Sequence, residues 1–448
     1  MTSRRLMVVT YFFPPVGGIG VQRTLKHITY LPDAGWTPVV IAPRGATYRV
    51  MDSASVADLP EGLEVHRSLC YEPARFRGQM RDAVRAARRS LSRGAPSSGG
   101  ATAVEAGGGG PSQRLNDAWA RAVRFFFFPD DQVAWVPFAV RSALQAHRRN
   151  PVNALYSSSP PVTSHLVAGL VKRRTGVPWI ADFRDPWAGN SFAQPLGGGH
   201  RRLQARLERW IVRTADRVVF ATPGLLDRYR ARYPHAAERL VVIPNGYDAA
   251  ELADIAPAPR SDAKTLRLVY TGSVYGEREM TVFLAGLGAA LARRPDMRER
   301  LRVEFIGWMT DANRRAAEDA MASLAPVLEL SGQVPRAEAL ARLRAADAAL
   351  LLLADGPDRD LFVGGKLFEY LGLDRQVLAV VPPGDARRLL AELDWGIVAD
   401  PEPDAIAAAL ERLVESPPPD GRADPEGRYE RRALAAQLGT LLDEVVGP

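Results

Sequence analysis

Cysteine is nearly missing: Cys70 stands alone among 448 residues, which excludes an intramolecular disulfide or a cysteine-built metal cluster. No apolar run reaches the roughly 18 residues a membrane span requires. Met1-Thr2-Ser3-Arg4-Arg5 leads straight into a strand-like run ending at Pro14-Pro15, without the length or cleavage site of a secretory leader. A cytoplasmic protein is expected. The dinucleotide spacing GxGxxG is absent, and so is any repeat of short fixed period. Acidic residues are in slight deficit, 51 against 58 Lys and Arg, and the net charge of +7 favours anionic partners. A nucleotide meets that demand, so nucleic acid need not be invoked. With 46% hydrophobic and 24% charged residues the composition is that of a globular chain, long enough for about two or three domains.

What is present is alternation. Leu6 to Phe13 is a continuous apolar run, a Gly17-Gly18-Ile19-Gly20 loop follows, then a helix with Leu25, Ile28 and Leu31 on one face, then a strand over Thr37 to Ile41. The pattern resumes at Leu155-Tyr156-Ser157, Pro178 to Ala181, Arg217 to Ala221 and Leu240 to Ile243. Pro244-Asn245-Gly246 and the Pro/Ala-rich stretch Ala256 to Lys264 close the first half. A second series runs through Leu266 to Thr271, Val303 to Ile306, Val327 to Leu330, Ala348 to Leu353, Val377 to Val381 and Gly396 to Ala399. Strands separated by helices imply parallel sheets with helices on both faces. The expected fold is α/β, two Rossmann-like parallel-sheet domains: residues 1–250, residues 251–427, and a helix over 428–448 returning to the first.

Residues 75 to 113 break the alternation. Phe76, Met80, Val84, Ala87 and Leu91 fall at helical spacing beside the stripe Arg77, Arg81, Arg85 and Arg88. Two readings fit: a helix packed on its own domain with a solvated basic face, or peripheral contact with an anionic membrane, which would be the inner face for a cytoplasmic protein. Ser92 to Ser112 is a Gly/Ser/Ala-rich linker, and Phe125 to Phe128 reads as core packing.

The chemistry concentrates around Gly364-Gly365-Lys366-Leu367-Phe368-Glu369-Tyr370, between two apolar strands. Glycines at a helix start bare backbone N–H groups beside the positive end of the dipole, and Lys366 adds a full charge, an arrangement suited to phosphate. Glu369, one turn on, suits ribose or sugar hydroxyls. In the first half, Asp182-Phe183-Arg184-Asp185-Pro186-Trp187 packs charge at the end of an apolar strand, which is costly unless it serves a ligand or itself, as an Arg184–Asp182 or Arg184–Asp185 bridge would. His165 reads as a capping or packed residue, or as a base. Asp358-x-Asp360 has the look of a metal-binding pair, or shapes the loop before Gly364.

These segments resemble the GT4 group of GT-B glycosyltransferases, over most of the chain except about residues 70 to 130. The Lys-x-x-Glu-Tyr-Leu run, the Pro-Pro-x-Gly-Gly opening with Arg23, the Ile-Pro-Asn-Gly-x-Asp string and the Asp-Phe-Arg-Asp-Pro-Trp loop carry the resemblance. It implies two domains facing across a cleft and a retaining transfer of sugar from a nucleotide-diphosphate sugar to a hydroxyl of a glycan or lipid-linked acceptor. By resemblance, Lys366 and Arg278 stabilise the departing diphosphate, Arg184 lies near the donor, and Asp185 serves the acceptor. Gly17, Gly18, Gly272, Ser273, Val334, Gly364, Gly365, Phe368 and Glu369 bind the donor. No metal or other cofactor is implied. Two departures stand out: Leu361 replaces the first of two glutamates, and Ser273 replaces an arginine. Two alternatives stay open, an epimerase of the same architecture and a non-catalytic sugar-nucleotide or glycan-binding relative.

Overall fold

The computed structural model describes residues 4–45, 51, 54–56, 58–71, 128–190, 197–260, 264–274, 277–353, 356–417, 421 and 423–447. The arginine-striped segment, the Gly/Ser/Ala linker and Phe125 to Phe127 lie outside them. The chain divides into two compact units: Met1–Val219 with His235–Leu240 and Gly439–Pro448, and Phe220–Pro234 with Val241–Leu438.

The first sheet has seven strands, β1 Arg4–Val9, β2 Trp36–Pro43, β3 Glu64–Ser68, β4 Ala154–Ser159, β5 Trp179–Phe183, β6 Arg217–Phe220 and β7 Leu240–Val242, in the order β3-β2-β1-β4-β5-β6-β7. Neighbours from β3 to β5 run parallel, with Leu6 opposite both Pro38 and Ala154. Leu6 to Val9 are buried, as a central parallel strand covered on both faces requires. The apolar run reads on to Phe13, but the strand stops at Val9. Helices α1 Ile19–Tyr30, α2 Val136–Arg149 and α3 Thr163–Thr175 belong to this unit. So do the last residues of the chain, where Asp443 takes hydrogen bonds from Arg4 at 3.0 Å and the Trp36 indole at 3.1 Å.

The second sheet has six strands: β8 Leu266–Thr271, β9 Leu301–Ile306, β10 Leu328–Gly332, β11 Ala348–Leu352, β12 Gln376–Val380 and β13 Ile397–Ala399. Their order is β10-β9-β8-β11-β12-β13, all parallel. Alternate residues serve two cores. Tyr270, Phe305, Leu350 and Leu378 face one, and Val269, Ile306, Leu351 and Ala379 face the other. Three helices matter below: α4 Glu277–Arg293, α5 Arg336–Arg344 and α6 Gly365–Gly372. In both sheets the order reverses beside the first strand of the unit, between β1 and β4 and between β8 and β11, and the carboxyl ends flanking such a reversal are where open α/β sheets bind ligands.

Candidate active site

In the second unit the strand ends are drawn together by glycine. Gly272, directly after β8, has φ 110°, and Gly307, directly after β9, has φ 139°. A Cβ on Gly307 would lie 2.2 Å from the Gly272 carbonyl oxygen. Gly272 N donates to Ile306 O at 2.8 Å and Gly307 N to Gly332 O at 2.6 Å. This close lacing leaves a berth for Lys366, since a Cβ on Gly272 would meet Lys366 Cε at 2.5 Å.

Lys366 reaches that berth from the first turn of α6, whose N-cap Gly364 offers no side chain to cap the exposed amides. Its ammonium donates to the Tyr270 hydroxyl, lies 3.4 Å from Ser273 O, and sits over the Tyr270 ring at 3.9 Å from the centroid. Tyr270 is fixed in turn, its hydroxyl donating to Ser273 O at 2.9 Å. Gly272, Ser273, Gly364, Gly365 and Lys366 therefore converge at the reversal point. One turn on, Glu369 accepts a hydrogen bond from Arg336 at 2.9 Å, and Arg336 lies 3.7 Å from Glu251.

Other expected residues fall differently. Phe368 is a core side chain packed against Tyr429, with ring centroids 5.8 Å apart. Val334 is half-buried, just before α5, and packs against the second core. Leu361 is buried, and its carbonyl accepts from Thr222 Oγ1 at 3.0 Å, so the position of the missing glutamate is apolar packing. Asp358 pairs with Arg228 at 2.6 Å. Among the described residues no group of three His, Cys, Asp or Glu could hold a metal ion. Arg278 lies in α4, and its side chain is outside the description.

The first unit builds a separate polar centre. Asp182, at the end of β5, accepts from Arg23 Nε and Nη2, both at 2.9 Å, from the Tyr156 hydroxyl at 2.7 Å and from Ser158 Oγ at 2.8 Å. Arg23 and Asp182 are both fully buried. Burial alone would raise the Asp182 pKa, but the Arg23 guanidinium and the hydrogen bonds hold it well below the usual carboxylate range. Of the two internal bridges the loop could have formed, Arg184–Asp182 is replaced by Arg23–Asp182. Arg184 instead donates to three backbone carbonyls, Ser159 O at 2.9 Å, Pro160 O at 3.1 Å, and Gly20 O. It staples the turn after β4 to the start of α1, whose N-cap Gly18 has φ 96°. Gly17 is buried beside it.

Asp185 keeps its carboxylate free of hydrogen bonds among the described residues. Burial raises its pKa against the opposing charge of Arg184. His165 is a packed residue: fully buried, its Nδ1 is 2.8 Å from Ser157 Oγ and its ring 4.5 Å from Phe183, and burial lowers its pKa to about 3. Tyr156, Ser158, Tyr270 and Arg336 were not singled out from sequence. Tyr156 and Ser158 alone carried a signal, as polar residues in an otherwise buried strand.

Two Rossmann-like parallel-sheet units, one with a cation and bare helix amides at its reversal point, define the GT-B class of fold. Residues 89–251 match the model of Glycosyltransferase Family 4. The match begins inside the stretch where the motifs show no resemblance, and it ends before the Lys366 segment. The chain is 28% identical over 264 residues to a D-inositol 3-phosphate glycosyltransferase of Nocardiopsis dassonvillei, covering 56% of this chain and 60% of that one. A relative of the same name from Kineococcus radiotolerans is 28% identical over 239 residues, 47% of this chain and 52% of its own. The chain therefore spans little more than half the length of the curated relatives it matches. Among solved structures, a glycosyltransferase from Rickettsia africae ESF-5 superposes with a TM-score of 0.59 at 12% identity, covering 99% of this chain and 98% of that one.

Proposed function

We propose that the protein is a glycosyltransferase that moves a sugar from a nucleotide-diphosphate sugar to a hydroxyl of a glycan or lipid-linked acceptor with retention of configuration. The observation that supports this best is the convergence of Lys366, the Gly364 and Gly365 amides and the Gly272–Ser273 turn at one sheet reversal. Charge gathers on a diphosphate as the glycosidic bond breaks, and preorganised cations and N–H donors stabilise that charge most where it develops. Lys366 and Arg278 take that role, and Glu369 takes the ribose once Arg336 yields it. Asp185 serves the acceptor hydroxyl, its raised pKa suiting a group that exchanges a proton. Arg184, with its N–H groups spent on carbonyls, holds the loop on which Asp185 stands. The chain needs no resident cofactor for this chemistry, and no metal.

The curated relatives' name adds phosphorylated inositol to the acceptors worth testing. Buried Leu361 and the Arg336–Glu369 pair favour one rival, a relative that binds donor without transferring it. Transfer from nucleotide sugars to a mixed acceptor panel distinguishes the two. Lys366→Ala and Glu369→Ala are expected to lose at least about a hundredfold in kcat/KM while remaining folded. Wild-type turnover in both variants contradicts the proposal, and donor binding with no turnover in the wild type selects the rival.

A further inference from the structure

Helices α2 and α3 enclose a groove of about 520 Å³ on the first unit, away from the residues discussed above. Its floor is apolar, with Val140 and Leu144 from α2 and Leu170 from α3. Its rim is cationic. Arg141 and Arg148 stand seven residues apart on one face of α2, and Arg174 stands one turn beyond Leu170 on α3. Among the described residues none of the three has a carboxylate partner. Several arginines elsewhere are paired, Arg260 with Asp347, Arg294 with Asp296, Arg342 with Glu304 and Arg387 with Asp400, and others, such as Arg314, Arg315 and Arg412, lie exposed without an apolar groove beside them among the pockets described. Three exposed guanidinium groups without a carboxylate partner around one apolar trough suit an anionic occupant with an apolar part.

We propose that this groove seats an anionic phospholipid at a bilayer surface. The guanidinium forks match phosphate oxygens. The apolar floor accepts the glycerol and upper acyl carbons, which a free phosphate would leave uncovered. Phe138, 41% exposed on α2, extends the apolar surface at the same helix. The arginine-striped segment 76–91 is a poor occupant, since Arg77, Arg81, Arg85 and Arg88 bring charge of the same sign. The surface potential of anionic leaflets adds attraction for each such cation, and the proposal is independent of the sugar chemistry.

The test is co-sedimentation of the full chain with phosphatidylcholine vesicles, with and without phosphatidylglycerol. Wild type is expected to bind only the anionic vesicles. The R141E/R148E/R174E variant is expected to lose at least about tenfold in partitioning. R314E/R315E/R412E, which makes the same charge change on exposed residues of the second unit, should bind as wild type does. Far-UV circular dichroism and the nucleotide-induced thermal shift confirm that each variant is folded, and the shift reports the sugar-nucleotide reading separately. Three results overturn the proposal: wild type ignoring anionic vesicles, the groove variant binding them undiminished, or soluble glycerol phosphate releasing the protein at equal phosphate concentration.

Discussion

Gly272 illustrates how one residue holds the site together, because it satisfies two demands at once. Its φ of 110° disfavours any side chain, and the space where a Cβ would stand is filled by Lys366. Gly272→Ala is expected to cost about 1–3 kcal/mol in urea unfolding and to weaken nucleotide binding as well, since the lysine must move. Unchanged affinity would show that Lys366 is not held by this turn. Asp182→Ala makes a different case. It leaves Arg23 buried without its carboxylate, and a loss of about 3–5 kcal/mol is expected; a loss under about 1 kcal/mol would mean that water or a side chain rescues the guanidinium. The lysine, the glycines and the charged loop were legible in the sequence because their residue types are unusual beside apolar strands. Their partners were not. Arg336 meets Glu369 from 33 residues away and Arg23 meets Asp182 from 159 residues away, and only the tertiary fold decides such pairings.

At the scale of elements, β4 and α3 carry a pH dependence of their own. His165, on the first turn of α3 and against Ser157 of β4, is neutral and buried, with a pKa lowered to about 3 from the ordinary 6.5. As pH falls below 6.5 the unfolded chain takes up a proton that the folded protein refuses until about pH 3. The contribution to stability is therefore whole above pH 6.5 and falls by about 1.4 kcal/mol per pH unit across that window. Urea unfolding at stepped pH should show this slope in the wild type and a shallower one in His165→Gln; parallel profiles would contradict it. Asp182 adds a second component of the same sign, lost at lower pH, as its carboxylate protonates. The strand β3, Glu-Val-His-Arg-Ser at the sheet edge, was not readable, since it holds no apolar run. The other twelve of the thirteen described strands were, because apolar runs bounded by turns leave little choice. Their limits were less so: β1 stops at Val9 although the apolar run continues, and β10 reaches Gly332 through a register shift after Leu330. The arginine-striped segment, clear as a periodicity, lies outside the described residues.

For the whole molecule, the alternation of apolar strands and helices foretold two parallel sheets, and their strand order in turn explains why the residues proposed to bind phosphate gather beside β8. Composition favoured an anionic partner and gave it no location. Three of the exposed arginines line a surface groove of the first unit that no motif announced, whereas the cation at the sheet reversal of the second unit is a lysine. Phe368, expected among the donor-binding residues, has its side chain in the core against Tyr429, because an amphipathic helix must bury one face. The most direct test of the donor site is a thermal-shift series with UDP, GDP, dTDP and ADP on wild type and Lys366→Ala. Ligand that binds only the folded state raises apparent stability with the logarithm of its concentration over Kd. A shift with one nucleotide that is lost in the variant is the expected result and identifies the base. An equal shift in both proteins would contradict the assignment of Lys366 to the diphosphate, and no shift with any nucleotide would contradict the donor site itself.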